Sequence, residues 1–183
     1  MSTTTYIAFL RGINVSGHSV KMEYLRELFT ELGLKNVRSY IQSGNVFFET
    51  DVSDREALAD KIREHLRKAL GYDVAVCLRT IPDLERIIAL DPFKNTKVRD
   101  DMRLCVIFTT EPISDNLALP LLSPKRDIEI IQTTRHEAFI IWYLINGRPP
   151  AAKGFQEKIL GSDTTTRFFH TTIKILEAAK QIN

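Results

Sequence analysis

The residues best equipped for chemistry crowd into one stretch, Arg11-Gly12-Ile13-Asn14-Val15-Ser16-Gly17-His18-Ser19, with Lys21 just beyond. Arg11 and Lys21 bring positive charge, and His18 brings a side chain able to carry or donate a proton. The glycines let the backbone turn so that N–H groups converge on an anion. The spacing from Gly12 to Ser19 is one residue away from the phosphate-binding loop Gly-x4-Gly-Lys-Ser/Thr. His18 stands where that loop needs the lysine that neutralises the β and γ phosphates, and no apolar strand ending in a Mg²⁺-binding Asp accompanies it. A nucleotide triphosphatase is therefore set aside. Two readings of the loop stand side by side. In one, Arg11, Gly12, Asn14, Gly17 and Lys21 surround a single anionic group; in the other, the glycines serve tight turns and nothing more.

A second polar stretch, Gln42-Ser43-Gly44-Asn45, lies between two strand-like runs. Gly44 and Asn45 are what a two-residue hairpin turn demands, which leaves Gln42 and Ser43 without a reason. If the first and third strands are neighbours, Ser43 and Asn45 reach the rim formed by residues 11–21. A third candidate is Thr164-Thr165-Thr166-Arg167, read as a helix start with Asp163 or a threonine as its cap. Arg167 in a first turn runs against the helix dipole, which implies a partner carboxylate or an external anion. His18 and His170 are the credible proton shuttles, while His65 and His136 sit in solvated or turn settings. Catalytic residues remain unknown beyond these two. No His, Cys or acidic set recurs at zinc-ligand spacing and no Gly-x-Ser-x-Gly elbow occurs, so no metal and no cofactor is expected.

Several elements must position these groups. Residues 6–10 form an apolar strand, and Met22, Leu25, Leu28, Phe29 and Leu32 recur at helical spacing with Gly33 after them. Two strands at 36–41 and 46–50 flank the polar turn. Ser53-Asp54-Arg55-Glu56 reads as a capping box opening a helix stopped at Gly71, and 74–78 is a fourth strand. Pro82 starts a short connecting helix. The second half reads as a strand at 102–109, a helix near 114–121, strands at 127–132 and 138–143, and a helix over 167–179. The fold predicted is α+β, with two ferredoxin-like (split βαβ) halves in tandem, their antiparallel-rich sheets bearing helices on one face. The halves are 1–93 and 102–183, joined by a charged linker at 94–101 and forming one compact unit.

Composition narrows the function. The chain has 183 residues, 44% hydrophobic and 26% charged, with a net charge of +2, which is the profile of a globular domain. Through Asp91 there are 12 basic and 13 acidic residues, and beyond it 13 and 10. Neither half has the basic excess of a protein gripping a nucleic-acid backbone. Phe47-Phe48 on a central strand is also the pattern of base-stacking aromatics, but no Lys or Arg interleaves with them, which favours core packing. The longest apolar run, 139–145, is far below the roughly 20 residues of a membrane span. Residues 1–5 lack the basic and apolar regions of a signal peptide. Cys77 and Cys105, both in strand-like runs, read as buried free thiols, so a soluble, reducing, cytoplasmic setting is expected.

The residues Tyr6-Ile7-Ala8-Phe9-Leu10-Arg11-Gly12-Ile13-Asn14-Val15, then Gly17-His18, Lys21-Met22 and 38–48 from Arg38 through Phe48, resemble the start of the domain-of-unknown-function 1697 family of bacterial proteins. Thr165-Thr166-Arg167 before an amphipathic helix resembles that family's closing motif. The resemblance implies an α+β fold and a soluble cytoplasmic protein, and it carries no activity with it. It weakens at the C-terminal end. Phe168-Phe169-His170-Thr171 stands where the family pattern has Asn-Trp-Asn-Thr, and Ala151-Ala152-Lys153 stands for its Ser-x-Lys. The leading expectation is a module binding a small anionic molecule, with possible enzymatic activity, in which Arg11 and Arg167 clamp the ligand. The alternatives are a nucleic-acid-binding α+β domain and a protein-interaction or oligomerisation scaffold.

Overall fold

The structure is a computed structural model describing residues 3–14, 17–151 and 154–181. Val15, Ser16, Ala152 and Lys153 of the stretches above lie outside the described residues. The chain divides into two compact units, one of Met1–Arg86 with Ile175–Asn183 and one of Ile87–Lys174. Residues 94–101 fall within the second unit, and the first unit takes the end of the chain.

In the first unit β1 (Thr4–Leu10), α1 (Met22–Glu31), β2 (Lys35–Tyr40), β3 (Asn45–Thr50), α2 (Arg55–Leu70) and β4 (Val76–Thr80) follow in turn, and α3 (Ile81–Ala89) begins directly after. The sheet order is β2-β3-β1-β4, every neighbour antiparallel. Tyr6, Ala8 and Leu10 alternate along β1 and join Val46, Phe48, Val76 and Leu78 on one face. Leu25, Leu28 and Phe29 of α1 and Leu58, Ile62 and Leu66 of α2 pack onto that face. Each such side chain contributes about 1.5–3 kcal/mol by leaving water. The intervening Ile7, Phe9, Phe47 and Cys77 are as deeply buried, which is why β1 and β3 read as unbroken apolar runs. Phe47 and Phe48 are 2% and 0% exposed, so this pair offers no ring to a base. The cap of α2 is Asp54, accepting from the Ala57 N–H at 3.0 Å, rather than Ser53.

In the second unit β5 (Met102–Thr109), β6 (Leu121–Leu122), β7 (Ile128–Thr133), β8 (Glu137–Tyr143), α4 (Phe155–Leu160), β9 (Thr164–Phe168) and α5 (Phe169–Lys180, whose last turns belong to the first unit) succeed one another. Its sheet is antiparallel, in the order β6-β7-β8-β5-β9. Cys105, Ile107, Ile128, Ile130, Ala138 and Ile140 form a core beneath Leu160 of α4. Phe93, Phe139 and Phe169 meet edge to face with ring centroids 5.1–6.4 Å apart.

Three expectations fail here. No helix forms near 114–121; the segment turns and ends in β6. Pro120 lacks an N–H and bars its predecessor from helical angles, so the seven residues between Pro112 and Pro120 sustain no helix. The run 164–168 is a strand, not a helix start, because β-branched threonines and a phenylalanine suit the open edge of β5. The connection from β2 to β3 spans residues 41–44, with Tyr40 opposite Asn45, so Asn45 belongs to a strand and the turn is longer than two residues. The second unit is therefore four strands, a helix, a strand and a helix. Both units are α+β, with antiparallel sheets and helices. Among the described residues no helix is long and apolar enough to cross a membrane.

Candidate functional site

The loop expected to form the rim starts where β1 ends. Leu10 donates its backbone N–H to Gly44 O at 2.9 Å and Arg11 donates to Ala75 O at 3.0 Å, tying the start of the loop to the β2–β3 turn and to the residue before β4. Asn14 sits at φ +58°, a left-handed conformation that asparagine tolerates better than most residues. There its side chain works in both directions: Nδ2 donates to Gln42 O at 3.0 Å, and Oδ1 accepts from the Val20 N–H at 2.6 Å. Ile13 is buried at 3% exposure. Gly44, at φ +76°, passes so close that a Cβ there would lie 3.1 Å from the Cβ atoms of both Ile13 and Leu10. That close approach is a second reason for Gly44, and spacing in the sequence does not disclose it.

Ser43 and Asn45 are brought to this rim as braces. Asn45 is fully buried, and its Nδ2 donates to Tyr40 O at 3.1 Å and to Ser43 Oγ at 2.9 Å. These bonds close the turn from inside. Gly12 and Gly17 both sit at φ +86° with open space on the Cβ side. His18 is exposed and lies against Tyr72, ring centroids 3.9 Å apart at 27°. Burial pushes the Tyr72 hydroxyl above its ordinary range, and among the described residues that hydroxyl has no hydrogen-bond partner. Nothing in the residue pattern singles out Tyr72, the remaining member of this neighbourhood.

Lys21 is the N-cap of α1, a position usually held by a residue whose side chain accepts a hydrogen bond. Its ammonium cannot accept, and no side-chain cap is formed. The first turn of α1 therefore lacks a side-chain cap, and Glu23 is the one acidic residue in that turn. Arg11, His18 and Lys21 thus belong to the loop and helix start that follow β1 in the first unit.

Arg167 and His170 belong to the second unit and are described with it. Arg167 is 8% exposed in β9, opposite Val106 of β5, and its Nη1 donates to Thr165 Oγ1 at 2.7 Å and Thr166 O at 2.9 Å. Because 164–168 is a strand, the conflict with a helix dipole disappears. His170 is exposed in the first turn of α5, stacked on Phe168 with centroids 5.7 Å apart. Among other reactive groups, the Cys105 thiol is buried and pushed up to about 12 by that burial, which disqualifies it as a nucleophile. Both cysteines are buried, and neither is in a disulfide. Among the described residues no three His, Cys, Asp or Glu side chains are grouped to hold a metal ion.

No curated protein matches this chain. Among solved structures it is similar to the conserved bacterial protein SP0830 from Streptococcus pneumoniae. The two share 23% identity and a TM-score of 0.72, covering 98% of this chain and 100% of that one, a likeness of fold. The family model described as "Protein of unknown function (DUF1697)" matches residues 3–139, which hold the whole rim and stop short of the departures at 168–171. The chain belongs to the DUF1697 family.

Proposed function

We propose that this protein binds a small anionic molecule at the rim of its first unit, with Arg11, Lys21 and the backbone around Gly12 and Gly17 as the recognition elements. The observation that carries the reading is the start of α1: an uncapped helix N-terminus with lysine at its N-cap, joined to a glycine loop held in shape by Asn14 and Gly44. Preformed N–H groups lose little entropy on binding, so one phosphate or carboxylate suffices as ligand. Ser43 and Asn45 act here by positioning. If the ligand is turned over, His18 is the rim group able to carry the proton, and enzymatic activity is then of the acid–base kind. We read the strand order of the first unit as a split βαβ, ferredoxin-like half, and the second unit as its diverged counterpart. Two buried cysteines, neither in a disulfide, fit a reducing cytoplasm.

The test is a thermal-shift screen of phosphate, nucleotides, phosphosugars and carboxylates against wild type, Arg11→Ala and Lys21→Met. A ligand at 100 times its dissociation constant stabilises by about 2.7 kcal/mol. That is a rise in Tm of about 5–10 °C for a chain of this size. The expected result is a shift in wild type that falls by most of its size in both variants. A panel with no shift, or a shift equal in all three proteins, overturns the reading. Arg167→Lys and His170→Ala, run alongside, are expected to leave the shift in place.

A further inference from the structure

The first unit holds a second opening, at the other end of its sheet. A cleft of about 440 Å³ is floored by Thr5 and Glu49, which face one another across β1 and β3. Asn36 and Arg38 of the edge strand β2 form one wall, and Ala179 and Lys180 at the end of α5 form another. The size suits a small molecule.

Its polar groups are held in place. Asn36 sits at φ +50°, and β2 is irregular between Lys35 and Arg38. An irregularity of this kind re-aims side chains at a sheet edge. Here Asn36 Nδ2 donates to Glu49 Oε2 at 2.7 Å, which fixes that carboxylate and leaves Oε1 for another donor. Arg38 is fixed as well. Its Nη1 and Nη2 donate to Ala178 O and Ala179 O, each at 3.2 Å, and its guanidinium lies 5.3 Å from the centre of the Phe47 ring. Five guanidinium N–H groups are present, and these two bonds leave donors over. Lys180 Nζ is 2.5 Å from Glu85 Oε1.

The balance of charge sets the ligand class. Arg38 is opposed by Glu49, Lys180 is already matched by Glu85, and the carbonyl end of α5 adds partial negative charge. A net anion meets Glu49 and a net cation meets Arg38, so neither fits alone. Phe47 and Glu49 lie two residues apart on the same face of β3, about 7 Å along the strand. Arg38 over Phe47 and Glu49 further along the same face line one cleft, so charges of opposite sign are offered together, as the two ends of a zwitterion need.

We propose that this cleft binds a small zwitterion of the amino-acid class, its ammonium on Glu49 Oε1 and its carboxylate on Arg38. The site is distinct from the anion rim and stands or falls without it. The test is calorimetric titration of the full chain with glycine, glutamate, lysine and glycylglycine, beside their N-acetyl and C-amide forms. One of the free zwitterions binds saturably. Blocking either of its ends weakens it at least tenfold, as does Glu49→Gln, a change that keeps an acceptor for Asn36. Lys180→Met, at an exposed position, weakens it by a smaller factor, and Lys21→Met leaves it unchanged. Absence of binding by all four at about 10 mM overturns the proposal. So does binding that survives Glu49→Gln, or blocked forms that bind as well as the free ones. Melting curves of each variant establish that it is folded before it is titrated.

Discussion

Where β1 ends, at Leu10, the first unit is closed by backbone and uncharged amides: Leu10 N–H on Gly44 O, Arg11 N–H on Ala75 O, the Asn14 and Asn45 side chains on the turn, and glycine against Ile13 with no room for a methyl group. Where β1 begins, at Thr4 and Thr5, the same sheet is closed by side chains. Asn36 holds Glu49, Arg38 holds the carbonyls of α5, and Thr80 and Asp83 bond each other where β4 passes into α3. The first kind of closure is indifferent to pH and salt and intolerant of added bulk. The second tolerates bulk and responds to titration. A rim made of backbone donors also selects for an anion, whereas an end made of paired side chains offers both signs.

The largest effect should come from adding one carbon where the backbone closes. Gly44→Ala meets a left-handed φ, which costs about 1–2 kcal/mol, and two Cβ atoms at 3.1 Å, which cost about 1–3 more. Gly12→Ala meets only the first penalty, since its Cβ side is open. Chemical denaturation of the two variants should place Gly44→Ala lower by about 2–5 kcal/mol against about 1–2 for Gly12→Ala. Equal losses would mean that the contact with Ile13 and Leu10 relaxes freely, and the contrast between the ends would lose half its basis.

The side-chain end should show itself in acid. Burial of Asp83 pushes its carboxyl up, but the Thr80 N–H at 2.9 Å, Arg55 at 2.8 Å and Arg86 at 3.2 Å together pull it below its ordinary value. The folded form therefore binds its proton later than the unfolded chain does. The stability from Asp83 is fully present above about pH 4 and is lost as pH falls through the folded value. Asp83→Asn should cost about 1–2 kcal/mol at pH 7 through the weakened cap and the lost charge pair. It should also flatten the fall in stability below pH 4. A variant that keeps the wild-type slope in that window would move the acid sensitivity elsewhere.

How much of this was legible follows from which interactions are local. The spacing of Leu25, Leu28 and Phe29, and the stop at Gly71, are written in single elements, so the first unit's run of strand, helix, strand, strand, helix, strand was readable. The gathering of residues 11–21 with 42–45 was readable only on the condition that β1 and β3 are neighbours, as they are. What Gly44 touches was not, because Ile13 is 31 positions away and only the fold brings it near. Thr164-Thr165-Thr166-Arg167 misled because threonine caps helices and also fills strands, and the vacant edge of β5 decided between them. The cleft was invisible for a related reason: Asn36, Glu49 and Lys180 are unremarkable in sequence, and an irregular strand edge brings them together.

The smallest effect tests whether closure by side chains comes from charge as such or from charge held in place. Lys180 and Glu85 pair at 2.5 Å, yet each side chain is 48% exposed. Such a pair gains little Coulomb energy in water and loses side-chain freedom to form, so it contributes about 0–1 kcal/mol. Glu85→Gln should therefore shift Tm by no more than about 2–4 °C, with the shift shrinking further in high salt. Arg38, whose bonds run to backbone carbonyls and whose guanidinium lies over Phe47, has its geometry set by the fold. Arg38→Leu should accordingly cost more than Glu85→Gln at every salt concentration. If the order were reversed, bare charge at the end of α5 would outweigh hydrogen-bond geometry, and the cleft would be better read as an anion site than as one for a zwitterion.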